Sequence, residues 1–226
     1  MDIPMGDILI CSGDFTNIGT SRGIYDFLEW FGDLPHYNKI LIAGNHDKGT
    51  DPTFKDRVVY EGTLDFFREM IKKHDILYLE DSSCEVYAND GSVIKIHGSP
   101  VTPTFGRGWA WNRDKEQIKK HWDLISDDVD ILVTHGPSYG YGDRVVRSNE
   151  RVGCESLSKK ILEVKPKMHV FGHIHEDRGV FLDKDNGITY VNTSSLNLRY
   201  SPYNRDFYVF DWEKVQTCTS EGFDDE

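Results

Sequence analysis

Short apolar runs divide this chain at regular intervals. Ile8-Leu9-Ile10-Cys11, Lys39-Ile40-Leu41-Ile42-Ala43, Asp130-Ile131-Leu132-Val133 and Met168-His169-Val170-Phe171 are each bounded by polar or glycine-containing segments. Runs of that length and β-branched content are the pattern of strands buried on both faces. Weaker strand patterns lie at 76–79, 84–88, 93–97, 179–182, 189–192 and 207–210. Helical spacing places Ile24, Phe27, Leu28 and Phe31 on one face of a helix over 21–31. Thr63 is positioned to cap a second helix over 63–73, with Leu64, Phe67 and Ile71 on one side. Asp114 and Gln117 have capping-box spacing ahead of Ile118, Trp122 and Ile125. Leu157, Ile161 and Leu162 mark a fourth helix that Pro166 must stop. Asn89-Asp90-Gly91 and Asp185-Asn186-Gly187 tolerate positive φ and predict hairpin turns. Crossover units mixed with hairpins predict an α/β fold with helices outside two packed sheets.

Length and charge narrow this picture. The 226 residues fit one domain, 1–212, followed by an acidic tail, 213–226. A formal net charge of -12 argues against a nucleic-acid polymer as partner, because backbone binding needs clustered Lys and Arg. It leaves room for a small phosphate ester, since bound cations can supply the positive field. Cys11, Cys84, Cys154 and Cys218 form no C-x-x-C pair, which points away from structural zinc and toward a reducing, cytoplasmic setting. No apolar run approaches membrane-spanning length, and the start carries no signal-peptide pattern. These features predict a soluble protein without a membrane partner and leave its oligomeric state open.

The four leading strands all end in candidate metal ligands. They run into Ser12-Gly13-Asp14, Gly44-Asn45-His46-Asp47, Thr134-His135-Gly136 and Gly172-His173-Ile174-His175. In α/β folds, loops at one sheet edge present the chemistry, so four such ends predict one shared site. Carboxylate, amide and imidazole donors suit a divalent transition metal. Asp14 has two oxygens with which to bridge cations, and His173 and His175 can converge from an irregular loop. His46 can donate a proton to a leaving oxygen or hold a phosphate, with Asp47 orienting the ring. Taken singly, each residue also has a plainer role in a turn or cap. His36, His74, His121 and His169 read as structural, and His97 stays open between the two roles.

Taken together and in order, Gly-Asp, Gly-Asn-His-Asp, Thr-His-Gly and Gly-His-x-His resemble the calcineurin-like metallophosphoesterase superfamily. Asp7 through Thr16, Gly98-Ser99-Pro100-Val101-Thr102-Pro103 and Trp109-Ala110-Trp111-Asn112 are similar to its branch of metallophosphoesterase-domain proteins and class III cyclic-nucleotide phosphodiesterase relatives. The resemblance implies a four-layer α-β-β-α sandwich of two mixed sheets. It implies that Asp14 bridges two metals, that Asn45, His135 and His173 complete one site, and that His175 belongs to the other. His46 is then the catalytic histidine, assisted by Asp47. The implied cofactor is Mn or Fe, with Zn as an alternative, at one or two ions. The implied reaction is hydrolysis of nucleotide-type or other small phosphodiesters by a metal-activated hydroxide. The aromatic stretch 105–112 would wall the pocket, with Asn45, His46, Arg107 and Asn112 as substrate contacts.

One family block has no counterpart here. No histidine in the chain follows an aspartate by two positions, so the D-x-H block and the first central strand that carries it are missing. Three readings stay open: a truncated product, a single-metal variant, or a non-catalytic nucleotide-binding or scaffold protein on the same fold.

Overall fold

A computed structural model describes residues 3–57, 59–88, 91–146, 148–203 and 207–212. The first sheet is parallel and joins β1 (Ile8–Cys11), β2 (Asn38–Leu41) and β3 (Leu77–Tyr78) in that order. Next come β4 (Ser82–Tyr87) and β5 (Val93–Ser99), then a small ladder of β6 (Thr102–Pro103) with β7 (Asn112–Arg113). β8 (Ile131–Thr134) is followed by a second small ladder, β9 (Arg144–Val145) with β10 (Glu150–Arg151). β11 (Met168–Phe171), β12 (Gly179–Asp183) and β13 (Ile188–Asn192) complete the set. The larger sheet has six strands in the order β12-β13-β11-β8-β5-β4. Its four inner strands are parallel, and the two hairpin strands at its edges are antiparallel to them.

Strand alternation sorts the side chains into three apolar layers. Ile8 and Ile10 of β1, Ile40 of β2, Ile131 and Val133 of β8, and Met168 and Val170 of β11 meet between the sheets. Their neighbours point the other way. Leu9, Cys11 and Leu41 pack on α1 (Ser21–Gly32) and α2 (Thr63–Lys73). Leu132 and Phe171 pack on α3 (Lys115–Trp122) and α4 (Glu155–Val164). Helix, sheet, sheet and helix therefore stack as the four expected layers.

Most helix boundaries follow their local signals. Thr20 caps α1, and its hydroxyl accepts the Gly23 N–H at 3.2 Å. Asp114 and Gln117 close the capping box of α3 as expected. Thr63 differs from expectation. Gly62, with φ of +86°, takes the cap position of α2, and Thr63 is the first helical residue. Its hydroxyl is 3.0 Å from that of Ser21, which ties the starts of α1 and α2 together. In α4 the inward row is Leu157, Ile161 and Val164, while Leu162 is exposed. That row has i, i+4, i+7 spacing, which keeps one helix face. Lys165 ends the helix in the left-handed region ahead of Pro166.

The expected strand at 207–210 joins no strand ladder among the described residues. The segment 207–212 still packs Tyr208, Phe210 and Trp212 against the layer between the sheets. The Arg178 guanidinium lies over the Tyr208 ring at 4.6 Å. Between this segment and β1 is a cavity of about 860 Å³. The hairpin turn at 185–187 forms with Gly187 at φ of +70°. Asn89, Asp90 and the tail 213–226 lie outside the described residues. No helix among the described residues is long and apolar enough to cross a membrane.

Candidate metal centre

The parallel strands β1, β2, β8 and β11 all end on the same side, and their following loops converge. Two backbone features make the convergence possible. Asp14 and His173 both sit in the left-handed region, at φ of 56° and 70°. That region is unfavourable for residues with a side chain and concentrates at functional sites. Gly44 is a close approach: a Cβ there would stand 2.4 Å from Asp14 Oδ1 and 2.5 Å from His135 Cε1. Only glycine lets the β2 loop pass beneath the β1 loop.

Ligand atoms of Asp14, His135 and His173 lie within 4.8 Å of one another. His135 is buried and fixed from both ends. Its Nδ1 is 2.9 Å from the Ser12 carbonyl, a bond in which only the ring can donate. Its Nε2 is thereby turned into the site, 2.9 Å from Asn45 Oδ1 and 3.2 Å from Asp14 Oδ2. A backbone carbonyl behind the imidazole is the usual device for aiming a metal-binding nitrogen. Asp14 Oδ1 accepts the His46 N–H at 2.8 Å, so its second oxygen faces the ring of His135. His135 and His173 meet edge to face at 5.0 Å. His175 stands outside this tight group, half-buried on the short helical turn His175–Asp177 and lining the same cavity.

The electrostatics are those of a site built for a cation. Burial works to raise the Asp14 carboxyl, but His135 beside it and the nearby His46 and His173 hold it well below the usual carboxylate range. Burial works to lower His135, but the Asp14 charge and hydrogen bond raise it. Burial pushes His173 down to about 3, with His135 adding repulsion, so that ring stays neutral. Burial and the Asp14 charge push Asp47 up to about 7. A convergent, buried set of two imidazoles, one carboxylate and one amide oxygen fits a divalent transition metal.

Asp47 has a different job from the one expected of it. Its carboxylate accepts the N–H of Gly44 at 2.8 Å, of Thr16 at 2.8 Å and of Phe15 at 3.3 Å, and the Thr16 hydroxyl at 2.8 Å. It therefore staples the β1 loop to the β2 loop. His46 is oriented instead by the Asn17 carbonyl, 2.7 Å from Nδ1. Nothing in the sequence marked Asn17, because a backbone carbonyl acts whatever its side chain.

The aromatic stretch divides in two. Trp109 lies 4.4 Å from the His46 ring, with Phe105 4.9 Å from the His173 ring, so both stand at the mouth. Trp111 is buried, and its indole N–H donates to Thr50 at 3.1 Å. The Asn112 side chain serves its own loop: its Nδ2 donates to Ala110 at 3.0 Å and its Oδ1 accepts the Phe105 N–H at 3.3 Å. Arg107 is exposed at the loop tip.

Comparison with known proteins agrees with this geometry. Residues 2–177 match the family model described as calcineurin-like phosphoesterase. The chain belongs to that family. It is 38% identical over 218 residues to human metallophosphoesterase domain-containing protein 1, which covers 90% of this chain and 64% of the relative. The mouse protein of the same name matches equally. The chain thus spans just under two thirds of these relatives' length. Among solved structures, a phosphopantetheinyl hydrolase from Mycobacterium tuberculosis superposes with a TM-score of 0.54 at 14% identity, covering 85% of this chain and 80% of that one. The Thermus thermophilus protein TT1561 gives 0.54 at 12% identity, covering 83% and 76%. At such identities the likeness concerns the fold.

Proposed function

We propose that the protein is a metal-dependent phosphoesterase acting on nucleotide-type or other small phosphodiesters. The observation that carries this reading is the Asp14, His135 and His173 cluster with His46 beside it at an open mouth. Asp14, Asn45, His135 and His173 would hold the cation, and His175 would approach from the cavity side. Mn or Fe suits this mixture of oxygen and nitrogen donors. A bound cation supplies Lewis acidity toward phosphoryl oxygen and makes water a competent nucleophile near neutral pH.

The chain's own residues supply the rest. His46 reaches the mouth with Nδ1 tied to Asn17, which leaves Nε2 to protonate a leaving oxygen or to hold a phosphoryl oxygen. The Trp109 and Phe105 rings offer flat faces beside His46 and His173, which favours substrates with a base or aryl group next to the phosphorus. Lys48 Nζ lies 4.9 Å from the Trp109 ring centre and adds positive charge to that wall. Asp47 keeps the Asp14 and His46 loops in register.

The test is hydrolysis of a bis-nitrophenyl phosphodiester and of cyclic nucleotides by chelator-treated protein resupplied with Mn. Turnover that returns with Mn and disappears in Asp14→Ala supports the reading. Wild-type protein that takes up Mn, Fe and Zn without hydrolysing any phosphoester would leave a binding role in its place.

A further inference from the structure

A tight turn over 195–203 reaches the metal centre from outside the four strand-end loops. Its ends are joined: the Tyr203 N–H donates to the Ser195 carbonyl at 3.0 Å, and Leu196 pairs with Pro202. Asn197 holds its tip. The Asn197 carbonyl accepts the Tyr200 N–H at 2.8 Å, and its Oδ1 accepts the N–H of Arg199 at 2.8 Å and of Ser201 at 3.3 Å. The turn touches His175 twice. The Tyr203 hydroxyl donates to the His175 carbonyl at 2.8 Å, and the Tyr200 ring stands edge to face on the His175 ring at 5.4 Å. Tyr200 is 72% exposed and sits at φ of 56°, a region that bulky side chains avoid. The turn therefore holds a large ring in solvent beside a histidine of the site, at a cost in backbone energy that burial does not offset. Next to it is a pocket of about 340 Å³ lined by Val146, Glu176, Asn197, Leu198, Arg199 and Tyr203.

We propose that this turn is a second substrate wall. Tyr200 takes the planar group on one ester oxygen of a phosphodiester, while Trp109 and Phe105 take the group on the other. The inference rests on the phosphoesterase reading above and narrows its substrate class to linear diesters with a planar group on each side. Three observations carry it. First, the aromatic contacts fall on different histidines from different parts of the chain: Trp109 on His46 and Phe105 on His173, but Tyr200 on His175. Second, the two walls are separate. Trp109 and Phe105 lie nearly parallel at 6.3 Å, and Tyr200 meets neither ring among the described residues. A tetrahedral phosphorus sends its two ester substituents in different directions, so a linear diester can reach both walls. A cyclic diester carries both ester oxygens on one sugar and can fill only one. Third, the pocket beside Tyr200 brings a donor and an acceptor together. Arg199 offers a planar guanidinium that can stack and donate, and Glu176 can accept from the edge of a heterocycle.

The probes are two phosphinates that cannot be hydrolysed, offered to the Mn-loaded full chain. Dibenzylphosphinate has methylene groups in place of both ester oxygens and carries two rings; benzyl(methyl)phosphinate has the same charge and one ring. Calorimetry reads their Kd values. Wild-type protein should bind the two-ring probe at least about tenfold more tightly, the effect of one stacked ring. Tyr200→Gly suits the positive φ, keeps the turn, and should cut that preference to less than about threefold, while Tyr200→Phe keeps it. In parallel, the ratio of kcat/KM for bis-nitrophenyl phosphate to that for ethyl nitrophenyl phosphate should fall about fivefold or more in Tyr200→Gly. A wild type that binds the two-ring probe no more tightly would overturn the proposal. So would a preference that survives Tyr200→Gly, or equal weakening of both probes in that variant, which would reduce Tyr200 to a support for His175. A two-ring preference that depends on Tyr200, without hydrolysis of any ester, would sink the phosphoesterase reading and leave the wall standing as a binding surface.

Discussion

β1 and β11 carry the same kind of sequence and deliver ligands to the same centre, but they stand in different surroundings. β11 lies between β8 and β13, is buried along its whole length, and sends His173 into the site. β1 lies at the edge of a three-stranded sheet, is half-buried at every position, and sends in Asp14. Neighbours, more than composition, therefore decide how firmly a ligand is held. His173 follows a strand fixed from both sides. Asp14 follows a strand fixed from one side, and its position depends on loop contacts: the His46 N–H on its own carboxylate and the Asp47 staple between the loops. In this reading the six-stranded sheet is the rigid half of the metal centre, and the three-stranded sheet is the adaptable half.

The largest effect that can test this division is loss of the metal. Asp14→Ala removes the carboxylate that faces His135 and should lower Mn affinity by at least about 100-fold, more than removal of an outer hydrogen-bond partner does. Ser12, which supports His135 only through its carbonyl, should tolerate Ser12→Ala with less than about threefold change. Metal per chain after dialysis, read by elemental analysis, checks both. Equal losses in the two variants would mean that Asp14 is not a ligand.

The next effect is catalytic. His46 hangs from the β2 loop, and its ring touches Trp109 and Asn17 and lies outside the tight ligand group. His46→Ala should lower kcat by about 10²–10⁴-fold and leave metal content near the wild-type value. Trp109→Ala should act mainly on KM, since the ring offers a surface and no proton. A His46→Ala enzyme with normal kcat would remove the histidine from the reaction.

These residues also show what was legible beforehand. The strands ending at Asp14, Asn45, His135 and His173 could be read from short apolar runs followed by ligands, because burial on both faces leaves a run and a tight loop leaves a glycine. The layer each residue joins followed from alternation alone, as Leu132 and Val133 show by facing opposite layers. The work of Asp47 could not be read. A carboxylate beside a histidine in sequence suggests an imidazole partner, but the loop turns Asp47 inward toward four donors from Gly44, Phe15 and Thr16. The segment 207–210 has the alternation of a strand, yet pairing depends on a neighbour that the pattern cannot supply. Asn112 looked like a substrate contact because its neighbours are aromatic, and its amide closes its own loop instead.

Stability gives a smaller and more direct comparison of the two sheets. Ile10 and Ile131 point into the same layer, from the open edge and from the middle of the closed sheet. Ile131 is 4% exposed and should cost about 2–5 kcal/mol as Ile131→Ala. Ile10 borders the cavity, so truncation extends an existing void, and Ile10→Ala should cost less than half as much. Urea unfolding of both variants measures the difference. Equal costs would mean that β1 is as tightly packed in solution as β8, with the cavity beside it closed.

The smallest effect reads the charge shared across the two halves. In metal-free protein, Asp47 is pushed from an ordinary carboxyl value of 3.8 up to about 7 by burial and by Asp14. An acid with a raised folded pKa adds stability while protonated, in full below its unfolded value, and loses that contribution as pH rises through the folded value. His135, raised by Asp14 against the effect of burial, acts in the same direction above its ordinary 6.5. Asp14 is lowered, so its own contribution is lost only in acid and lies outside this window. The buried His97, His169 and His173, lowered by burial to about 4, 3 and 3, work the other way up to about pH 6.5, so metal-free protein should lose a few degrees of Tm only from about pH 6.5 to about pH 8. Saturating Mn should remove or reverse that slope, because a cation offsets the Asp14 charge and binds only after His135 has released its proton. Asp47→Asn should flatten the metal-free profile. Scanning calorimetry of the chelated, Mn-loaded and Asp47→Asn proteins over that range checks all three slopes. Parallel slopes with and without metal would mean that the two sheets do not share charge through Asp14 and His135.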